Sequence, residues 1–237
     1  MNRSLSLLLI PLAASAFHSP SWQTPRHSPL LTIKESTFGM GCFWEPSEEL
    51  LKVEGVVDTI AGYTGNPSAI EAPTYDTVCF GRQWVEGVRV KYDDEKISYE
   101  QLLEAFFQAQ NPKLGSRQYA SIIFPHDKEQ ERIANEWKSK KNAIAQRDDG
   151  FLPDWTEIEP QSKFFQAEGY HQRYWQKQRP RFAIIIGLLA VATGALNNIV
   201  PDAYQQSVET FANGSVVAIG LFQILERVLD AKVVELA

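Results

Sequence analysis

A strand, a glycine turn and a helix follow one another near the start of the globular sequence, and this succession constrains the fold more than any other feature. Leu31–Phe38 mixes apolar and β-branched residues with interleaved charges, which favours a β-strand. Gly39 and Gly41 permit a tight turn, and Pro46 with its acidic neighbours is typical of the first turn of a helix. The strand therefore leads into a helix through a turn that carries Cys42.

Short strands and amphipathic helices continue to alternate up to residue 158. Ser98 and Asp127 are suited to cap the two helices of this stretch. We therefore expect an α+β fold, with a mixed β-sheet core packed with helices and an apolar helical C-terminal extension. Further strands are predicted at 53–63, 85–92, 120–124 and 156–158, and further helices at 98–110 and 127–144.

Charge and cysteine content exclude several kinds of function. The net charge of −6 leaves no basic surface for nucleic acid. The chain has two cysteines, Cys42 and Cys79, which are too few for a disulfide scaffold or a thiolate metal cage. A single reactive thiol remains compatible with this content.

The N-terminal residues have the composition of targeting sequences. Residues 1–16 combine one arginine, a short apolar core and small residues before an A-x-A-like cleavage site, as a signal peptide does. Residues 17–31 are rich in Ser, Pro, His and Arg and lack acidic residues, as transit peptides do. The join Ala14–Phe17 resembles that of two-part presequences directed to plastids of secondary origin. We therefore expect a plastid location, with secretion and a plain linker as the alternative.

The C-terminal part, 182–237, differs from the rest in its apolar runs. Phe182–Leu196 carries no charge and approaches membrane-spanning length when extended to residue 200, whereas Val216–Leu225 is shorter. The sequence predicts membrane association through 182–200. The alternative is a pair of buried helices that extend the domain. A cationic cluster precedes the first run: Lys177, Arg179 and Arg181.

Cys42 is placed as a nucleophile would be. At a helix start, free backbone N–H groups and the helix dipole favour the thiolate form, and a thiolate is the reactive form of cysteine. Phe43 and Trp44 beside it are suited to wall an apolar pocket. The alternative is that Cys42 is a small buried residue of the core.

The segment Gly41–Trp44 resembles the active-site motif of the peptide methionine sulfoxide reductase A family. Five further segments resemble motifs of the same family in the same order: Pro73–Gly81, Val85–Asp93, Lys96–Leu103, Gln118–Phe124 and Phe164–Gln172. The resemblance implies a catalytic domain over 32–181 with a ferredoxin-like α/β sandwich fold.

The resemblance also implies a mechanism. Cys42 would attack the sulfur of an oxidised methionine, and Glu86 would protonate the departing oxygen. The phenols of Tyr75 and Tyr119 would donate hydrogen bonds to that oxygen. The products would be methionine and a sulfenic acid on Cys42. The methyl group of the substrate would be held by Phe43 and Trp44.

The same residues have plainer interpretations, and the chain departs from the family pattern. Without the resemblance, Glu86 is expected to be a solvent-facing strand residue, and Tyr75 and Tyr119 are expected at the edge of the core. The segment 111–119 is shorter than in the family and lacks an Asp that helps to position the substrate oxygen. Trp84 stands where the family has His, next to Glu86. The C-terminal resolving cysteines of many members are absent.

The absence of resolving cysteines predicts a one-cysteine enzyme, and the resemblance implies that its substrate is methionine-S-sulfoxide, with free and protein-bound forms both open. An external thiol (thioredoxin, glutaredoxin or glutathione) would reduce the sulfenic acid, with Cys79 as the alternative. We expect no bound cofactor, no metal and a monomeric chain. Two other functions stay open. One is a non-catalytic descendant that binds a partner, and the other is a redox sensor that uses oxidation of Cys42.

Overall fold

Strands from almost the whole chain form one sheet in the computed structural model, which describes residues 32–113, 115–147, 156–195 and 198–236. The segments predicted for targeting, 1–16 and 17–31, lie outside the described residues. The strands are β1 (Ile33–Met40), β2 (Val56–Thr64), β3 (Val85–Asp93), β4 (Ser121–Phe124), β5 (Thr156–Ile158), β6 (Phe164–Gln166) and β7 (Val234–Leu236). The α-helices are α1 (Trp44–Leu51), α2 (Tyr75–Phe80), α3 (Tyr99–Ala109), α4 (Lys128–Arg147), α5 (Tyr174–Ala192) and α6 (Asp202–Leu229).

The sheet is mixed, with the strand order β5-β4-β1-β3-β2-β6-β7. Strands β4 and β5 are parallel and the other neighbours are antiparallel. Helices α1 and α3 pack against each other and against the central strands. This arrangement confirms the predicted α+β class with a mixed sheet and packed helices.

Helix α3 shows why the local predictions succeed. Its N-cap Ser98 accepts a hydrogen bond from the Gln101 backbone, and the Gln101 side chain accepts one from the Ser98 backbone, which completes a capping box. Its apolar face is buried, and the Phe106 ring stacks on Phe38 of β1 with centroids 4.9 Å apart. The predicted cap and the predicted apolar face are therefore both present.

The antiparallel pairing of β1 with β3 and β4 brings three strand ends together. In this register Gly39 is opposite Gly87 in β3 and Ile122 in β4. The C-terminal end of β1 therefore lies beside the N-terminal ends of the two others. Residues that follow β1 and residues at the start of β3 or just before β4 meet at this end of the sheet.

The C-terminal part leaves the sheet and then returns to it. Helices α5 and α6 pack against each other as a hairpin, and β7 then pairs with β6. No residue of α5 is buried, and Ala212 is the buried residue of α6, so the alternative of two buried helices is wrong. One helix among the described residues, α6, is long and apolar enough to cross a membrane by length and composition. The stretch for which the sequence predicts membrane association, 182–200, begins instead within the preceding helix, α5.

Candidate active site

The turn after β1 fixes the position of Cys42. Gly41 has a φ of 84°, a conformation that favours glycine. A Cβ atom at Gly41 would lie 2.0 Å from the carbonyl oxygen of Asn111. The Asn111 backbone in turn donates a hydrogen bond of 2.8 Å to Met40. The turn therefore requires glycine for two reasons, and it places a half-buried Cys42 just before helix α1.

Glu86 lies under this turn and is 3% exposed, so the interpretation of it as a solvent-facing residue is wrong. Its carboxylate accepts a hydrogen bond of 3.2 Å from the Phe43 backbone and one of 2.6 Å from the Gln118 side chain. Burial raises the pKa of Glu86 to about 7, although these two hydrogen bonds and the charge of Lys113 oppose the rise. The carboxyl group therefore exchanges its proton near neutral pH.

The Cys42 thiol lies within hydrogen-bonding reach of the Glu86 carboxylate. Burial raises the pKa of Cys42 to about 11, and the charge of Glu86 adds to the rise. A hydrogen bond with the Trp44 backbone N–H lowers the pKa of Cys42, but by less. The helix start therefore favours the thiolate as expected, but desolvation of Cys42 exceeds the effect of the backbone. At rest Cys42 is a thiol beside a carboxyl group that can accept its proton.

Two phenol side chains lie near Cys42 and Glu86. Tyr119 is half-buried, and burial together with the nearby Glu86 and Cys42 raises its pKa to about 12. Tyr75 begins helix α2, and burial and a hydrogen bond with Cys79 raise its pKa as well. Tyr75 is 45% exposed, so its ring lies at the mouth of the site. Both phenols stay protonated at neutral pH and are hydrogen-bond donors.

Aromatic rings form one wall of the site. Phe43 is 1% exposed and belongs to the core. Trp44 is half-buried, and Tyr174 covers one face of its indole with ring centroids 3.8 Å apart. The Trp44 indole N–H donates a hydrogen bond of 2.8 Å to Nδ1 of His171. Burial lowers the pKa of His171 to about 3, so the imidazole is neutral and can accept this bond. The indole is therefore held in one orientation.

Two residues of the site were missed at the level of sequence. Gln118 donates to Glu86 and lies 3.7 Å from the sulfur of Cys79, and its place before Tyr119 is the only sequence signal for it. Lys113 lies in the shortened loop, with its ammonium 4.5 Å from the Tyr119 ring centroid. Its charge lowers the pKa values of Cys42 and Glu86. This loop, which lacks the family Asp, thus brings a cation to the site.

Trp84 and Cys79 have different surroundings. The Trp84 indole is 5% exposed and packs edge-on against Phe165 in the core. Cys79 is half-buried and reaches the site through Tyr75 and Gln118. Both cysteines are free thiols. Within the described ranges, no group of three or more His, Cys, Asp or Glu residues could hold a metal ion.

Comparisons with known proteins identify relatives of this chain. The sequence model of the family described as peptide methionine sulfoxide reductase matches residues 34–190. The peptide methionine sulfoxide reductase MsrA of Methanoculleus marisnigri is 39% identical over 159 residues, which cover 64% of this chain and 94% of that protein. The MsrA of Methanothermobacter thermautotrophicus is 36% identical over 169 residues, which cover 68% and 97%.

A solved structure agrees with the sequence matches. Methionine sulfoxide reductase A of Corynebacterium diphtheriae superposes with a TM-score of 0.54 at 27% identity, over 61% of this chain and 74% of that one. The family match ends at residue 190, inside α5, so α6 and β7 lie beyond it.

Proposed function

This chain belongs to the peptide methionine sulfoxide reductase A family, and from that premise we propose that it reduces methionine-S-sulfoxide through a sulfenic acid on Cys42. Membership makes it an oxidoreductase that acts on methionine sulfoxide. One observation carries the finer proposal. The Cys42 thiol lies within hydrogen-bonding reach of a buried carboxyl group, Glu86, whose pKa is about 7.

The proposed reaction needs one proton, which Cys42 itself supplies. The thiol passes its proton to the Glu86 carboxylate, and the sulfur of Cys42 attacks the sulfoxide sulfur. Glu86 then delivers that proton to the sulfoxide oxygen. The sulfur–oxygen bond and the new bond between the two sulfurs then break, and the hydroxyl passes to the Cys42 sulfur, which becomes a sulfenic acid. Methionine gains two electrons, and Cys42 loses two.

The phenols and the indole position the substrate in this proposal. Tyr75 and Tyr119 keep their protons at neutral pH, and both donate hydrogen bonds to the sulfoxide oxygen. The substrate methyl group packs on Trp44 above Phe43. The indole is held by His171 and Tyr174, so it needs no rearrangement before the substrate binds.

An external thiol then regenerates the enzyme. A first thiol of thioredoxin, glutaredoxin or glutathione displaces water from the sulfenic acid and forms a mixed disulfide with Cys42. A second thiol releases Cys42 and leaves the reductant as a disulfide. Beyond Cys42 the chain contains only Cys79, whose position beside Tyr75 and Gln118 makes it the internal alternative.

The decisive experiment measures turnover of methionine-S-sulfoxide and methionine-R-sulfoxide peptides by the full chain, with dithiothreitol as the reductant. We expect reduction of the S epimer alone and complete loss of activity in Cys42→Ser. The matched control is Cys79→Ser, which should keep the activity. A folded protein that reduces neither epimer would refute the proposal and favour a redox sensor or a binding module.

The location of the enzyme is a separate proposal. The composition of residues 1–31 supports delivery to a plastid of secondary origin. A fluorescent protein fused behind these residues, expressed in cells that contain such a plastid, should accumulate there. Accumulation in the medium or the secretory pathway would support secretion instead.

A further inference from the structure

The hairpin of α5 and α6 exposes apolar side chains where a helix pair in water would expose polar ones. Each of these side chains is between 45 and 69% exposed, and none is covered by the rest of the described chain. They are Ile184, Ile186 and Leu189 of α5, and Val217, Leu221, Phe222, Ile224, Leu225, Val228 and Leu229 of α6.

Some polar side chains near the base of the hairpin lie between its two helices. Gln223 of α6 donates to Gln178 of α5 at 3.2 Å. Glu226 accepts from Arg181 at 2.6 Å and lies 3.7 Å from the ammonium of Lys177. At the base of the hairpin polar groups therefore face inward, while apolar side chains of the same helices face outward, and this arrangement suits helices surrounded by lipid.

Small residues and satisfied hydroxyls add to this pattern. Ala212 is 1% exposed, and a small buried residue of this kind is typical of the contacts between membrane helices. Thr193 and Ser215 donate their hydroxyl protons to backbone carbonyls of their own helices, four residues earlier. These hydroxyls therefore need no water.

Charges and aromatic rings bound the apolar part. No charged residue occurs in 182–201 or in 210–225. The second stretch is about 24 Å long as a helix, close to the hydrocarbon thickness of about 30 Å. At its base Arg227 lies 5.7 Å from the ring centroid of Tyr170, and Tyr174 and Trp175 are neighbours. Cations and aromatic rings at one level are typical of a membrane–water interface.

We propose that the α5–α6 hairpin inserts into a lipid bilayer and holds the reductase domain at the membrane surface. Both ends of the hairpin join the domain, α5 after Gly169–His171 and α6 through β7 on the sheet edge. The charged base at Arg181 and Glu226 therefore lies at the headgroups on the domain's side.

A second copy of the chain fits the hairpin less well than lipid does. A helix-bundle seam needs one apolar stripe along each helix. On α6 the exposed apolar residues include four of the five positions 221–225, which point in widely different directions around the helix. One partner helix would leave part of this surface in water, whereas lipid covers all of it.

Vesicle flotation tests the proposal. The full chain, purified in detergent, is mixed with phosphatidylcholine vesicles, with or without phosphatidylglycerol, and the detergent is removed. We expect the protein to float with both kinds of vesicle and to stay bound in high salt and at alkaline pH. The double variant Leu221→Glu/Leu225→Glu should lose most of the floating fraction and keep its reductase activity in detergent.

The control variant is Ile70→Glu, which makes the same kind of change at an 89% exposed site outside the hairpin and should float like the wild type. Flotation only with anionic vesicles, reversed by salt, would overturn insertion in favour of surface charge attraction. A defined dimer in water without vesicles would overturn it in favour of a second copy. Equal flotation of the double variant and the wild type would also overturn it.

Discussion

The sheet domain and the helical hairpin use the same kinds of apolar residue in opposite ways. In the domain, large side chains such as Phe38, Tyr63 and Leu103 are fully buried by the chain itself. In the hairpin, residues such as Leu221 and Ile224 are more than 60% exposed. Each region also encloses a glutamate: Glu86 is buried in the domain, and Glu226 is half-buried between the helices. The domain therefore covers its own apolar side chains, whereas the hairpin leaves its apolar side chains exposed.

This difference implies that catalysis and the proposed membrane attachment are separable. The reacting groups of the proposed mechanism lie at one end of the sheet, whereas the exposed apolar surface lies on α5 and α6. Substitutions at the active site should change reduction and leave flotation as it is. Substitutions on the outer face of the hairpin should reduce flotation and leave the rate of sulfoxide reduction unchanged.

The largest effect is expected for Glu86→Gln, because an amide cannot take the Cys42 proton. The rate of sulfoxide reduction should fall by roughly 10²- to 10⁴-fold, with unchanged flotation. In the wild type the rate should rise as the pH increases through about 7, since below that pKa Glu86 already carries a proton. It should fall again near pH 11, where the Cys42 proton is lost.

Single-turnover rates measured from acidic to alkaline pH check this prediction. The rise near neutral pH should be absent in Glu86→Gln. Gln118→Glu is not a suitable control because Gln118 contacts the same carboxylate. Asp94→Asn, at a surface ion pair with Lys34, is suitable and should keep the wild-type profile. If the Glu86→Gln variant had the pH profile of the wild type, Glu86 would be excluded as the proton carrier.

An intermediate effect is expected for Gly41→Ala, which tests whether the turn sets the site. The new Cβ would meet the Asn111 carbonyl at 2.0 Å, and the positive φ adds strain of about 1–2 kcal/mol. Gly115→Ala is the matched control, because Gly115 also has a positive φ but has nothing within 4 Å of the added Cβ. Thermal unfolding in detergent should show a clearly larger loss of stability at Gly41, together with loss of activity. Equal losses would mean that the contact with Asn111 is unimportant.

The smallest effect is expected for Lys113→Met. Loss of this cation should move the rise of the pH profile to higher pH, because Lys113 lowers the pKa of Glu86. Lys113 is exposed, so the shift should be modest and should shrink as salt is added. Lys113→Arg keeps the charge and should keep the profile. Identical profiles for Met and Arg at low salt would show that the cation has no influence on the reaction.

Much of the domain could be predicted from the sequence because local signals and tertiary structure agree there. The N-cap at Ser98 and the short strand Thr156–Ile158 are both present where they were predicted. The environment of the thiol could not be predicted in this way. A helix start favours the thiolate of Cys42, but its burial beside Glu86 depends on the pairing of β1 with β3.

The C-terminal part shows a second limit of sequence patterns. Apolar runs at 182–196 and 216–225 have the same composition whether helices are buried in protein or in lipid. The inward position of Gln223 and Glu226 follows from how α5 and α6 pair. Strand β7 has three residues, too few for a periodic signal, and it forms because β6 offers a free edge.

A single turnover without any reductant tests the central claim most directly. The full chain is mixed with excess methionine-S-sulfoxide peptide, and the methionine formed and the state of each cysteine are measured. We predict one methionine per chain and one sulfenic acid on Cys42, trapped by dimedone, with Cys79 still a free thiol. A disulfide between Cys42 and Cys79, or methionine formed without oxidation of Cys42, would contradict the account.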